Sequence, residues 1–336
     1  MPPKDAKILV TGAGGFIGGH LVAKLRSLGY SNIRAVDIKP LTYWYQRSDE
    51  VDNRVLDLNR HDACFDAVDG AHTVYNLAAN MGGMGFIENN KALCMLSVLI
   101  NTHLLEAAKH HRLPGRFFYS SSACVYNGAK QTCTDVTALK EEDAYPADAE
   151  DGYGWEKLFS ERMCRHFRED FGVVTRVARF HNVYGPHGTY AGGREKAPAA
   201  ICRKVIDAQM TGKPLIEIWG DGEQTRSFMY ITDCIDGMFD ITNSDIEYPI
   251  NLGSSELVSI NQLVDIVESI ASVRLDRRYN LDAPKGVRGR NSDNTLIRKE
   301  LNWEPSVKLR DGMEKTYRWI WDEMHKAGKE SVVNLT

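Results

Sequence analysis

A doubly wound α/β domain is predicted for the first half of this 336-residue chain by two observations. Apolar, β-branched runs of strand length alternate with amphipathic segments of helix length, and a glycine-rich turn joins the first run to the first helix. Strands that read as continuous apolar runs between helices are buried on both faces, as in a parallel sheet covered on either side. In order, KILVT (7–11) leads to a helix over 15–29, NIRAVD (32–37) is the second strand, and RVLDL (54–58) is the third, with a helix over 60–69. TVYNLAA (73–79) precedes a long helical stretch over 88–111, RFFYSSS (116–122) precedes a helix over 152–171, and VVTRVARF (173–180) is the sixth strand.

The first turn reads TGAGGFIG, with glycines at 12, 15 and 18. Gly12 permits the tight turn, Gly15 lets the backbone approach a pyrophosphate at the helix N-terminus, and Gly18 allows close packing of helix on strand. Phe16 and Ile17 sit in the same turn. Asp37 ends the second strand, where a carboxylate binds the adenosine ribose hydroxyls and repels a 2′-phosphate, so the expected cofactor of this Rossmann-type domain is NAD rather than NADP. Asp57 suits either the adenine amino group or a turn. Leu77, Ala78 and Ala79, at a strand end, are small enough on average to pass beneath a dinucleotide.

The net charge of −4, with signs of charge interspersed, leaves no footprint for nucleic acid, so the expected partner is a small molecule. The opening MPPKDAKILVTG carries no apolar stretch of signal-peptide length and no window resembles a membrane span, so a cytoplasmic location without a membrane partner is expected. Seven cysteines (64, 94, 124, 133, 164, 202, 234) lack metal-ligand spacing, and no metal site is expected. Cys124, after three serines in SSSACVY, reads by itself as a small buried hydrophobe.

YGWEK puts Tyr153 and Lys157 on one face of a helix. A phenol of ordinary pKa about 10 is a poor base at neutral pH, and a nearby ammonium favours its phenolate. Tyr153 is then suited to take a hydroxyl proton while hydride leaves the same carbon for NAD. Lys157 also suits the nicotinamide ribose, and Ser122 suits orienting the reacting hydroxyl.

Taken together, TGAGGFIG, Asp37, NLAA, SSSACVY, YGWEK and RFHNVYGP resemble the extended short-chain dehydrogenase/reductase family, in its nucleotide-sugar-modifying branch, over nearly the whole chain. The resemblance implies a Rossmann domain over 1–181 to which the chain returns at about 220–252, and a smaller α/β substrate domain formed mainly by 182–330. NMGGMGF (80–86), SSAC, GTYAGGREKAPAA (188–200), WGDGEQTRSF (219–228) and GVRGRNSDN (286–294) are similar to the members of that branch that epimerise GDP-mannose at carbons 3 and 5.

What this resemblance implies is an isomerase that oxidises carbon 4, inverts carbons 3 and 5 of the resulting ketone, and reduces carbon 4 again, converting GDP-mannose to GDP-L-galactose, with GDP-L-gulose as the 5-epimer. It assigns the base to Cys124 and the acid to Lys196, although Lys196, beside Arg194, suits phosphate binding on its residues alone. A thiol pKa of about 8.5 can be drawn toward neutrality by cations. Substrate contacts carried over are Gly82, Ser122, Ala123, Cys124, Asn182, Glu195, Lys196, Ala197, Lys204, Gln224, Thr225, Arg226 and Arg290, with the arginines and Lys204 on the diphosphate and sugar. A homodimer built on the helices over 88–111 and 152–171 is also implied, although their apolar positions suit a sheet-covering role equally.

NGAKQTC after the Cys-Val-Tyr unit departs from the family's usual proline or acidic residue and bears on loop shape. A 4,6-dehydratase of the branch has an Asp-Glu pair where Ala123 and Cys124 stand, a simple 4-epimerase needs no base beyond the tyrosine, and a cofactor-sensing scaffold commonly lacks the Tyr or Lys kept here.

Overall fold

The computed structural model describes residues 1–333. The first half contains β1 (Ile8–Thr11), α1 (Phe16–Ser27), β2 (Ile33–Asp37), β3 (Asp52–Val55), α2 (His61–Val68), β4 (Thr73–Asn76), α3 (Met84–Asn89), α4 (Lys91–Met95), α5 (Ser97–His110), β5 (Phe117–Ser122), α6 (Asp151–Phe171) and β6 (Thr175–Phe180). There follow β7 (Val183–Tyr184), α7 (Ala197–Thr211), β8 (Leu215–Trp219), β9 (Thr225–Ser227), β10 (Met229–Tyr230), α8 (Ile231–Asn243), β11 (Ile250–Leu252), β12 (Leu257–Ser259), α9 (Ile260–Ala271), β13 (Asp276–Asn280), β14 (Gly289–Arg290), α10 (Thr295–Leu301) and α11 (Leu309–Val333).

Seven parallel strands form the main sheet in the order β11-β6-β5-β4-β1-β2-β3. Ile8, Leu9 and Val10 of β1 are buried, as a strand at the centre of a covered sheet requires. On one face Leu21, Val22 and Leu25 of α1 share a core with Cys234, Ile235 and Met238 of α8. On the other, Cys64 and Val68 of α2 pack with Leu104, Leu105 and Ala108 of α5 and Cys164 of α6. The direction of chain order reverses between β1 and β4, and such a reversal opens the crevice in which α/β sheets bind ligands.

Two expectations from the sequence are corrected. The third strand runs two residues earlier than RVLDL, because it is the polar edge of the sheet: Arg34 of β2 donates from Nε to Asp52 at 3.1 Å, and the last rung is Leu56 N–H to Asp37 O at 3.0 Å. Leu56, Asp57 and Leu58 then leave the ladder to line a groove. The long helical stretch over 88–111 is divided among α3, α4 and α5, with Asn90 out of helical conformation at φ −135°, ψ 41° and its side-chain amide donating to Phe86 O at 2.8 Å. By length and composition Lys91–His110 is apolar enough to cross a membrane, yet its inner residues Ile100, Leu104 and Leu105 lie in the core against α2.

In the second half, β8 pairs in parallel with β13, and β9 lies between β12 and β14. Ile201 and Val205 of α7, Leu263 and Val267 of α9, and Met313 and Ile320 of α11 extend the α1/α8 core. This layer stands over the C-terminal ends of β5 and β6, and a cavity lined from both halves lies between them.

Candidate active site

Two cavities, of about 490 and 430 Å³, meet along Gly82, Ser122, Tyr153 and Lys196, which line both. The first follows the switch point. Gly12 turns at φ +68°, and a Cβ there would lie 2.9 Å from the Leu77 carbonyl. A Cβ on Gly18 would lie 2.2 Å from Gly12 O, so helix and turn meet backbone to backbone. This cradle leaves room beside the turn only because side chains are missing, as a pyrophosphate requires. Gly15, Phe16, Ile17, Leu77, Ala78 and Ala79 line the same groove. Thr11, which sequence reasoning missed, fixes its floor: its hydroxyl accepts the N–H groups of Leu77 and Ala78, each at 3.2 Å, and donates to Asn76 Oδ1 at 3.1 Å.

Asp37 lines the groove from the end of β2, and its Oδ1 accepts Lys39 N–H at 2.9 Å. Asp57 closes a turn, since its Oδ1 accepts Asn59 N–H at 3.0 Å and Nδ2 at 2.7 Å, and it also lines the groove. These features fit a dinucleotide. Tyr153 and Lys157 complete the groove wall from α6.

At the junction, burial first, then the neighbouring Cys124 and Glu156, holds the Tyr153 phenol well above its ordinary pKa, while the Ser122 hydroxyl opposes that shift. Lys157 Nζ is 5.6 Å from the Tyr153 ring centroid and 3.6 Å from Glu156 Oε2. Glu156, not singled out in the sequence, is buried and accepts the hydroxyls of Tyr119 at 3.0 Å and Ser160 at 2.9 Å through Oε1. Lysine, carboxylate and phenol therefore form one buried cluster.

The second cavity begins at Cys124, in the single turn that follows β5, where its N–H donates to Ser122 Oγ at 3.2 Å. The expectation that cations draw this thiol toward neutrality is corrected: burial pushes its pKa up, Glu150 adds to the rise, and Arg290 opposes it. Lys196 enters from the residue before α7, and burial lowers its pKa. Both shifts disfavour charge, as desolvation does.

Arg290 lines the same cavity, with its contacts at the thiol end. Its Nε donates to Gln131 Oε1 at 2.6 Å, Nη2 to Glu150 Oε2 at 2.7 Å, and Nη1 faces Cys124 Sγ at 3.5 Å, so three of its five N–H donors serve the thiol end. Arg226 is different. It donates to the carbonyls of Thr225 at 2.7 Å and Val287 at 2.5 Å, has no carboxylate within ion-pair distance among the described residues, and is lowered by burial and then by Arg290 to a pKa of about 10. An uncompensated buried cation suits a phosphate.

Ala123, Asn182, Glu195, Ala197, Lys204 and Gln224 line this cavity. Gln224 Nε2 donates to Trp219 O at 2.8 Å, whereas its Oε1 is buried without a partner and can accept from a ligand hydroxyl. Glu195 accepts Gly193 N–H at 2.7 Å, and Asn182 donates to Ser227 O at 3.0 Å. Lys204 donates to Glu217 O at 2.8 Å beside the ring of Trp219. Gly82 is closed in by Phe86 and Arg194, whose atoms would lie 2.8 and 3.2 Å from a Cβ. Thr225 is a correction: β9 alternates, so while Gln224 and Arg226 face the cavity, the Thr225 hydroxyl points the other way and donates to Thr134 O at 2.6 Å.

A doubly wound sheet with a dinucleotide groove opening into a second cavity at a Ser/Tyr/Lys junction defines a nucleotide-cofactor enzyme acting on a hydroxylated substrate. Residues 8–253 match the NAD dependent epimerase/dehydratase family, to which the chain belongs, and NAD is its cofactor. The chain is similar to GDP-mannose 3,5-epimerase 1 of Oryza sativa subsp. japonica, at 46% identity over 332 residues, covering 98% of this chain and 86% of the rice protein. It is also similar to GDP-mannose 3,5-epimerase of Arabidopsis thaliana, at 44% identity over 336 residues, covering 99% of this chain and 87% of that protein. Among solved structures, UDP-glucuronic acid 4-epimerase from Bacillus cereus, in complex with UDP-glucuronic acid and NAD, superposes with a TM-score of 0.76 at 26% identity, covering 94% of this chain and 99% of that one.

Proposed function

We propose that the protein epimerises GDP-mannose at carbons 3 and 5 to give GDP-L-galactose, with GDP-L-gulose as the 5-epimer. The observation that carries this reading is the presence of a thiol and an amine, Cys124 and Lys196, in the cavity that shares Ser122 and Tyr153 with the cofactor groove. The rice and Arabidopsis relatives named for that activity support it. A 4-epimerase has no use for the Cys124–Lys196 pair.

NAD bound in the groove supplies the reversible hydride acceptor for carbon 4. Tyr153, with Ser122 orienting the hydroxyl and opposing the rise in the phenol's pKa, takes the proton from the oxygen on carbon 4, and Lys157 suits the nicotinamide ribose. Once carbon 4 is a ketone, the hydrogens on its neighbours are acidic. The Cys124 thiolate takes a proton from carbon 3 or 5, the electron pair moves into the enolate, and the Lys196 ammonium delivers a proton to the opposite face. The cycle leaves no net oxidation. Arg226 and Lys204 hold the diphosphate, and Asn182 and Gln224 the sugar side of the cavity. Incubation with GDP-mannose in deuterium oxide, followed by NMR, is expected to place deuterium on carbons 3 and 5 of recovered sugar nucleotide; product without label at either carbon would sink the reading.

The exposed Leu93, Met95, Leu96 and Leu99 of the α4–α5 stretch and Trp155 and Phe159 of α6 support a homodimer through these helices. Sedimentation that finds a monomer at every concentration would remove it. The seven free thiols, one of them the base, support a reducing, cytoplasmic location, and cell fractionation that finds the protein in an oxidising compartment would overturn that.

A further inference from the structure

The base assigned to Cys124 has to become a thiolate, yet its surroundings are built to resist this. The groups that face the thiol are Glu150 and Tyr153 from α6 and its N-terminus, Arg290 from β14, Lys196 at the start of α7, Arg226 from β9, and Cys94 from α4. Of these, Glu150 and Arg290 are tied to each other and to Cys124. Glu150 is the residue before α6, three ahead of Tyr153. Its N–H donates to Cys124 O at 2.9 Å, and its own carbonyl accepts Gly154 N–H at 2.9 Å, so the backbone of the thiol turn is joined to the first turn of the helix that carries the tyrosine.

The side chains repeat this link. Glu150 Oε2 and Gln131 Oε1 take two of the three Arg290 nitrogens, at 2.7 and 2.6 Å, which fixes the plane of the guanidinium and aims the third at Cys124 Sγ, 3.5 Å away. Gln131 is itself held, since its amide donates to the carbonyls of Tyr126 at 3.2 Å and Asn127 at 3.3 Å. Arg290 and Glu150 are buried to 5% and 10% side-chain exposure, so their charges act on the thiol with little screening by water. Burial would raise the Glu150 carboxyl, but Arg290 overrides it and holds the group below its usual range, so Glu150 stays ionised.

We propose that Glu150 is a positioning residue for the thiol base: it seats the Arg290 guanidinium against Cys124 Sγ, while its own negative charge opposes ionisation of the thiol. The arrangement keeps Cys124 a strong base once ionised, because a thiolate whose formation is resisted holds a proton more tightly. The position of the pair therefore sets the pH at which the thiol becomes active. This rests on the epimerase reading for its catalytic meaning, whereas the network is tested without substrate.

The test is the pH dependence of Cys124 alkylation by iodoacetamide in the NAD-loaded protein, followed by peptide mass spectrometry so that exposed Cys133 is counted separately. Glu150→Gln keeps the hydrogen-bond acceptor for Arg290 and removes the charge, and the alkylation midpoint is expected to fall by roughly one pH unit. Arg290→Gln removes the cation and is expected to raise it. A Glu150→Gln midpoint equal to that of the parent, or an Arg290→Gln midpoint that does not rise, would overturn the proposal; a role confined to folding would alter melting and leave the midpoint in place. Deuterium incorporation from solvent is the second readout. A matching downward move of its acid limb in Glu150→Gln supports the proposal with Cys124 as the base. An alkylation shift without that move supports the network and instead refutes Cys124 as the base, so the two failures are distinguishable.

Discussion

Gly18→Ala tests whether the cofactor groove depends on backbone contact between α1 and the turn that precedes it. A Cβ at residue 18 would lie 2.2 Å from Gly12 O, 2.7 Å from Gly12 C and 2.8 Å from Ala13 Cα. The first distance is more than about 1 Å inside the separation at which non-bonded atoms attract. All three are backbone atoms, so no side chain can swing aside, and the helix must move away from the turn by on the order of 1 Å. Insertion of a methyl into a packed site costs roughly 1–3 kcal/mol, and an unyielding backbone puts this one at the upper end. For a chain of this size that corresponds to a fall in Tm of about 5 °C. Because the same movement shifts the N-terminus of α1 from the pyrophosphate position, NAD retained through purification should fall at least about tenfold, given that tenfold needs only ~1.4 kcal/mol. The assays are a thermal melt and the NAD released on denaturation. Gly29→Ala is the control: this glycine follows the other end of α1 at φ +84° with nothing within 4 Å, so it carries only the left-handed backbone penalty of about 1–2 kcal/mol and should keep its NAD. If Gly18→Ala melts with the parent protein and holds a full complement of NAD, the close approach does not shape the groove and the reasoning fails.

Three further outcomes are expected. Cys124→Ala should still oxidise carbon 4 of bound GDP-mannose, read as a rise in reduced-cofactor absorbance, while exchanging no deuterium at carbons 3 and 5, whereas Tyr153→Phe should block both; an active Cys124→Ala protein would return that residue to packing. Arg226→Gln should raise KM for GDP-mannose by roughly 10–100-fold, the range of a lost charged hydrogen bond, with a smaller effect on kcat, and an unchanged KM would remove it from the diphosphate. His181 is buried against Asn251 Oδ1 at 2.9 Å, and burial lowers its pKa from 6.5 to about 3. Since the unfolded chain binds more protons than the folded one between those values, stability from this group is full above pH 6.5 and falls as pH drops toward 3, by about 1.4 kcal/mol per unit. Denaturant titrations at pH 7 and pH 5 should show the difference, and it should shrink in His181→Asn.

What the sequence made legible and what it hid divide along the distance over which each residue is constrained. Gly12 and Gly18 were readable because a positive φ and a backbone contact with the same turn each demand glycine locally, and Tyr153 with Lys157 because helical period alone puts them on one face. The third strand was misplaced for the opposite reason: Leu56 and Leu58 are apolar enough for a strand, but the edge position, set by β2 alone, ends the ladder at Val55 and takes in the polar Asp52 and Asn53 instead. Thr225 was misassigned because its neighbours on either side face the cavity, and which parity of β9 looks inward is decided by β12 and β14, both distant in the chain. Arg290 is the clearest case. An arginine in a glycine-rich stretch suits a phosphate as well as a carboxylate, and the three groups that hold this one, Cys124, Gln131 and Glu150, precede it by 166, 159 and 140 residues. Glu150 itself gives no local signal, since a carboxylate just ahead of a helix is an ordinary partner for the helix dipole. Only the return of β14 beneath the thiol turn converts it from a helix-end charge into a determinant of thiol ionisation. Residues that act on the reacting carbon could thus be named from spacing, while those that set the charge on Cys124 required the fold.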